Sequence, residues 1–310
     1  MNYLRAIQII LLLAVFSSCN TQEGIKTLLY EQPDYTFPYH LSEPVKTWEL
    51  PASLVEISGL SYVDDERFAC VEDEHGVIYI FNRKTGTVES VIKFGDDGDY
   101  EDIQVVGDDA WILKSNGTLY YVAGFIKNPE PEVKEYKIPL SGTNDCEGLA
   151  YAPDRVQLLI ACKGHPLLER KNRMPFKAVY SFDLVKNQLN ESPCILIDLD
   201  TIKYYKNYNA ITRLGDNIQS FINPSEGDKT FQPSGIAIHP LTGNIYILGS
   251  VGKLIIVVSE KGVILAMTDL DPQIFLQPEG ICFSPEGILY VSNEGQGKEG
   301  SILEFLPKNK

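Results

Sequence analysis

Ser58-Gly59-Leu60-Ser61-Tyr62 returns along the chain as Glu101-Asp102-Ile103, Glu147-Gly148-Leu149-Ala150-Tyr151, Ser234-Gly235-Ile236-Ala237-Ile238 and Glu279-Gly280-Ile281-Cys282-Phe283. The windows start 43, 46, 87 and 45 residues apart. Each opens an alternating apolar run, a second run ends in a turn, and a third follows, as in Val77-Ile78-Tyr79-Ile80-Phe81 and Leu119-Tyr120-Tyr121-Val122. With a fourth run such as Val88-Glu89-Ser90-Val91-Ile92, each period holds four short strands, the content of one propeller blade. A sandwich also has many short strands, but it does not space one signature at a near-constant interval.

The expected fold is therefore all-β, a β-propeller of four-stranded blades. The 87-residue gap is read as one blade plus an insertion, giving five blades, with a sixth degenerate blade as the alternative. The last unit, from Glu279, has only three strands, while residues 36–50 carry strand-like residues ahead of the first window. The N-terminal segment is thus expected to supply the missing outer strand and close the ring, which removes two exposed sheet edges.

The 310 residues include 42 acidic and 27 basic side chains, a formal charge of −15, with 44% apolar and 22% charged residues. This composition excludes a disordered chain, a collagen-like repeat and a polytopic membrane protein. It also argues against nucleic acid as a partner, which requires clustered Lys and Arg.

A short positive start at Arg5, an apolar run over residues 9–16 and the small-residue stop Ser17-Ser18-Cys19 read as a signal peptide, residues 1–18. The run is too short to cross roughly 30 Å of hydrocarbon. Its ending resembles a bacterial lipobox, which implies cleavage before Cys19, acylation of that residue and attachment to a membrane. Asn20 after the cysteine resembles outer-membrane sorting, so the expected location is the cell envelope, lipid-anchored at the outer membrane. Residues 19–35 read as a tether and 36–310 as one propeller domain with insertions at 163–177 and 199–232. The five other cysteines, Cys70, Cys146, Cys162, Cys194 and Cys282, are odd in number and imply no disulfide framework; strand-like surroundings favour buried spacer thiols.

In a four-stranded meander, the connector into each innermost strand and the second hairpin of each blade emerge on one face. Glu101, Glu147 and Glu279 open innermost strands and should converge on the central channel, with Ser58 and Ser234 in the equivalent places. Glu56 lies two residues before Ser58 and points the same way. The second hairpins add Glu72-Asp73-Glu74-His75 and Asn293-Glu294. Carboxylates gathered in a narrow channel repel by about 4 kcal/mol per pair at 4 Å and an effective dielectric of 20. A cation or protons at raised pKa must compensate, unless the acids are solvated or brace the blades through backbone N–H groups. An all-oxygen set, Glu56, Glu101, Glu147 and Glu279, suits a hard ion, Ca²⁺ before Mg²⁺.

Both insertions should rise from this channel face. The first gathers Lys163, Arg170, Lys171, Arg173 and Lys177 against Glu169, either a receiver for a carboxylate or phosphate or a solvated loop. Tyr204, Tyr205 and Tyr208 in the second either line a ligand site or pack the insertion against the ring. Candidate ligand-binding residues are Ser234, Glu74, His75, Lys163, Arg170 and Glu294.

Taken together, Glu56-Ile-Ser-Gly-Leu-Ser-Tyr62, Asp99-Tyr-Glu-Asp-Ile103, Cys146-Glu-Gly-Leu-Ala-Tyr151, Pro233-Ser-Gly-Ile-Ala-Ile-His-Pro240 and Gln277-Pro-Glu-Gly-Ile281 resemble the SdiA-regulated (YjiK-like) family of bacterial envelope propellers. The resemblance runs from about residue 45 to 306. It implies a propeller with calcium-associated acidic residues, in a family also likened to phytases, and Glu101, Glu147 and Glu279 match most plainly. The basic loop and the connector after Asp198 depart from the simplest pattern.

No catalytic residue is assigned. His40, His75, His165 and His239 show no metal spacing, His239 before Pro240 reads as structural, and no G-x-S-x-G, H-E-x-x-H, P-loop or C-x-x-C occurs. His75 and His165 lie in channel-face loops, within reach of a base role beside a metal-bound water. Two functions are carried forward. The first is a membrane-anchored propeller with a divalent cation in its channel, acting as a binding module for a small anionic ligand or an envelope protein. The second is a metal-dependent hydrolase of phosphate esters or lactones, with Lys163 or Arg170 holding the leaving anion.

Overall fold

A computed structural model describes residues 28–169, 174–213 and 230–308, with side chains in the helix described through residue 207. The expected signal peptide, Cys19 and Arg170 lie outside the described residues.

Two strands precede the first window, β1 (Leu28–Glu31) and β2 (Lys46–Glu49). Blade 1 comprises β3 (Ile57–Asp64), β4 (Arg67–Glu72), β5 (Val77–Asn82) and β6 (Thr87–Lys93). Blade 2 comprises β7 (Tyr100–Val106), β8 (Asp109–Lys114), β9 (Leu119–Val122) and β10 (Val133–Tyr136). In blade 3, β11 (Cys146–Ala152), β12 (Gln157–Cys162) and β13 (Phe176–Asp183) are followed by β14 (Gln188–Leu189) and β15 (Ile195–Asp198), which share one edge of β13. A helix, α1 (Leu199–Arg213), intervenes. Blade 4 holds β16 (Gln232–Ile238), β17 (Ile245–Val251), β18 (Leu254–Val258) and β19 (Ile264–Asp269). Blade 5 holds β20 (Pro278–Phe283), β21 (Leu289–Asn293) and β22 (Ser301–Phe305). All blades are antiparallel, and β3, β7, β11, β16 and β20 pack in succession around the axis, with β20 returning to β3.

The fold is a five-bladed propeller. In the long gap the chain forms blade 3 and then turns into α1 rather than a sixth sheet. Asp198 caps that helix, accepting from Asp200 N at 3.0 Å and from Thr201 Oγ1 at 2.9 Å. Leu199 and Ile202 pack with Ile195 of blade 3 and Ile256 and Met267 of blade 4, so α1 fills the groove between the two blades. The Tyr205 ring packs against Tyr30 with centroids 4.5 Å apart, a packing role for that tyrosine. No helix among the described residues is long and apolar enough to cross a membrane.

Ring closure follows expectation, since β2 pairs with β22 and completes blade 5. The seam to blade 1 is pinned by Trp48 of β2, whose Nε1 donates to Arg83 O at 2.7 Å. The Arg83 guanidinium lies 5.4, 5.1 and 4.8 Å from the rings of Trp48, Phe68 and Tyr290 and bonds Glu304 at 3.0 Å. The stretch read as a tether also carries a strand. Within the presumed tether, Leu28–Glu31 adds β1 to β19 as a fifth strand of blade 4.

Close packing at the axis explains the recurring glycine. A Cβ on Gly148 would stand 2.9 Å from Gly235 C and Ile236 N, and one on Gly280 2.9 Å from Leu60 N, so only hydrogen fits between neighbouring innermost strands. Blade 2 carries Asp102 there instead. Its buried carboxylate accepts from Ile103 N at 2.8 Å and from Leu149 N of blade 3 at 2.6 Å, with a further bond from the backbone N–H of Leu60 in blade 1. One side chain thereby ties three blades. Burial pushes its pKa well above the ordinary value against the pull of those donors.

Candidate functional site: an acidic channel mouth

In every innermost strand the first residue of the window drops out of the pairing register. Ser58, Glu101, Glu147, Ser234 and Glu279 all sit at a bulge between strand pairs. A bulge leaves its extra residue unpaired and re-aims the side chain, which suits a site built on strand ends. The two serines use that freedom structurally. Ser58 Oγ donates to Tyr100 O and Ser234 Oγ to Pro278 O, both at 2.7 Å, which fixes the carbonyl immediately before Glu101 and Glu279. Ser234, expected to bind ligand, is buried and commits its proton to the neighbouring blade.

Glu147 links the other two window acids: its carboxyl hydrogen-bonds Glu101 and its charge acts on Glu279, although among the described residues only Glu72, Glu74 and His75 bring three ligand atoms within 4.8 Å of one another. Burial first, then the charge of Glu147, pushes Glu279 up to about 8. The Glu101 and Glu147 carboxyls share a hydrogen bond, and burial moves both up. Lys163, from the loop after β12, supplies the counter-charge. Its Nζ donates to Glu147 Oε1 at 2.6 Å, lies 3.9 Å from Asp145, and opposes the upward shifts of Glu101 and Glu279. Backbone bonds set the loop: Lys163 N donates to Asp145 O at 2.7 Å, and Asn144 Nδ2 donates to the carbonyls of His165 and Leu167 at 3.0 Å. Lys177 Nζ donates to Lys163 O. His165 is held in this turn, with Leu167 N donating to its Nδ1 at 3.3 Å.

The remaining predicted residues form a rim. Glu56, expected as a fourth ligand, is exposed and acts on Asp73 and Glu294 instead. Gln277 links Glu294 to the axis, because its side chain bonds both Glu294 and Glu279. Asp73 is lifted to about 6 by burial and by Glu56 and Glu72, and its Oδ1 is buried without a hydrogen-bond partner. Beside it, Glu72 accepts from the backbone N–H groups of Glu74 and His75 at 3.0 and 2.8 Å and pairs with His75 Nδ1 at 2.7 Å. The bond to Glu72 raises the His75 pKa. Ligand atoms of Glu72, Glu74 and His75 lie within 4.8 Å of one another. Asp145, Gln277 and Asp102 went unread as site residues; the first two flank the windows, and Asp102 stands where the repeat has glycine.

The donor set suits a hard cation in chemistry and charge, since one buried and two half-buried carboxylates arrive from three blades and a lysine ammonium is already seated on one of them. Closing the three on a metal ion requires Lys163 to leave Glu147. Glu101, Glu147 and Glu279 would hold the ion, with Asp145 beside them, and the ion would supply charge neutralisation in place of protons and ammonium.

A separate cavity of about 680 Å³ opens at the other end of the channel, where the innermost strands finish, lined by Ser61, Tyr62, Gln104, Tyr151, His239 and Phe283 among others. It lacks the carboxylate cluster. His239 is structural there: its Nδ1 accepts from Leu241 N at 3.2 Å, burial lowers its pKa, and its ring packs 5.0 Å from Phe283.

No family model matches the chain, and no curated protein matches it. Among solved structures it is similar to the glutaminyl cyclase of Myxococcus xanthus, at 11% identity and a TM-score of 0.54 over 86% of this chain and 96% of that one. It is also similar to the PQQ-bound aldose sugar dehydrogenase of Streptomyces coelicolor, at 12% identity and a TM-score of 0.50 over 86% and 98%. These neighbours are β-propellers, and at such identities the likeness shows the fold alone.

Proposed function

We propose that this propeller, anchored in the cell envelope through Cys19, binds a divalent cation, Ca²⁺ ahead of Mg²⁺, through Glu101, Glu147 and Glu279, and offers the surrounding face to a small anionic ligand or an envelope protein. The reading follows the SdiA-regulated resemblance, which rests on the motifs alone. One observation supports it: carboxylates from three blades, one buried and two half-buried, sit at bulges where their charges repel, with the Lys163 ammonium on Glu147. A bound ion relieves that repulsion and rigidifies the ring. Hydrolysis of phosphate esters is less favoured, because Lys163, the side chain expected to hold a leaving anion, is turned onto Glu147.

The test is calorimetric titration of the protein with Ca²⁺ and with Mg²⁺, on wild type and Glu147→Gln, with phosphomonoester turnover assayed in parallel. Saturable Ca²⁺ binding that Glu147→Gln weakens, with no turnover, is the expected result. Absence of heat and of any Tm change at millimolar Ca²⁺ removes the cation site, since a ligand at 100 times its Kd adds about 2.7 kcal/mol. Metal-dependent turnover would replace the binding module with a hydrolase.

A further inference from the structure

Cys146 and Cys162 are register partners on β11 and β12, both fully buried, with Sγ atoms 4.0 Å apart. Lys163 N donates to Asp145 O just beyond the pair, so the two cysteines occupy a non-hydrogen-bonded position, where facing side chains approach most closely. Directly opposed residues at such positions have Cα atoms about 4.5 Å apart, inside the span that a disulfide bridges. No other cysteines among the described residues are register partners: Cys70 and Cys282 share a core cluster across the seam between blades 1 and 5 without pairing in one sheet, and Cys194 is exposed.

We propose that Cys146 and Cys162 form a cross-strand disulfide under oxidising conditions. While the chain folds and the pair is still accessible, one thiolate attacks a disulfide-bearing oxidant such as glutathione disulfide, and the second thiolate displaces the glutathione thiol from the mixed disulfide. The protein loses two protons and two electrons, and the oxidant is reduced to two thiols. The next residues along the chain are Glu147 and Lys163, so the bond staples the strand ends that carry the ion pair at the channel mouth. Occurrence in the cell rests on the envelope reading, because disulfides persist in oxidising compartments; the chemistry itself does not, and a test in defined buffer separates the two.

The full chain is unfolded in urea, refolded in glutathione redox buffer, blocked with N-ethylmaleimide and digested with trypsin without reduction. Cleavage at Arg155 places the cysteines on different peptides, so a bond leaves a linked pair. The expected result is a predominant Cys146–Cys162 peptide that is lost on reduction and in Cys162→Ser, and a Tm roughly 5 °C above that of the reduced protein. Full alkylation of both thiols after oxidative refolding, or linkage of either to Cys70, Cys194 or Cys282, overturns the proposal. Linkage in buffer together with free thiols in protein taken from the envelope of the expressing cell would leave the pair intact and instead overturn its use in the cell.

Discussion

Lys163 Nζ donates to Glu147 Oε1 at 2.6 Å, joining the second hairpin of blade 3 to the bulge residue of that blade's own innermost strand. An ammonium and a divalent ion compete for the same carboxylate. Replacing Lys163 by Met removes the competitor, and Ca²⁺ affinity measured by calorimetry is expected to rise roughly tenfold while the metal-free protein loses Tm. That magnitude discounts the ~4 kcal/mol contact value for solvent screening of a lysine side chain that is 34% exposed. Unchanged or weaker affinity would show that the ammonium does not stand in for the ion.

The channel mouth is also a proton store. Burial lifts Glu279 to about 8 and moves Glu101 and Glu147 upward, so the folded protein keeps protons that the unfolded chain releases near the ordinary carboxylate range of about 4. The stability tied to Glu279 is therefore complete below that range and lost as pH rises through about 8. Metal-free Tm should fall between pH 5 and 9, less steeply in Glu279→Gln, and stabilisation by Ca²⁺ should grow over the same interval as protons cease to compete. A slope identical in wild type and Glu279→Gln refutes this.

Ser234 positions Glu279 without touching it, through the carbonyl of Pro278. Ser234→Ala leaves a buried acceptor unpaired and is expected to cost about 1–2 kcal/mol, read as a lower urea midpoint. Ca²⁺ affinity should drop as well, whereas a merely structural hydroxyl would lower the midpoint alone.

Asp102 stands in the glycine position of blade 2 and serves backbone donors of three blades. Asp102→Ala strands at least two buried N–H groups and should destabilise the ring by about 2–4 kcal/mol in denaturant unfolding. Asp102→Gly, although it restores the repeat, should not recover that loss, because the donors of Ile103 and Leu149 would still lack a partner.

Much of this architecture is readable along the chain. Strand alternation and the returning Gly-Leu or Gly-Ile step are local properties, and their spacing marks the blades before any contact is known, except across the 87-residue gap, where five and six both fitted. Window starts likewise placed Glu101, Glu147 and Glu279 on one face, because a meander's direction follows from strand number. Residues 199–213 escaped that reading, since a tyrosine-rich helix that packs through Leu199, Ile202 and Tyr205 among its described side chains has weak periodicity. Leu28–Glu31 escaped it too, because a four-residue edge strand is defined by the partner it finds in β19.

Sequence alone thus determined the four-stranded blade and its recurrence, both consequences of short-range pattern and chain direction, while five blades rather than six was decided by the tertiary structure. Tertiary structure also decided where the side chains of the channel face settle. Glu56 went to the rim, Ser58 and Ser234 turned to neighbouring carbonyls, and Lys163 settled on Glu147 rather than facing outward. These outcomes depend on bulges and on loop backbone bonds between residues far apart in the chain, where a shift of one residue re-aims a side chain and changes which charge it must answer.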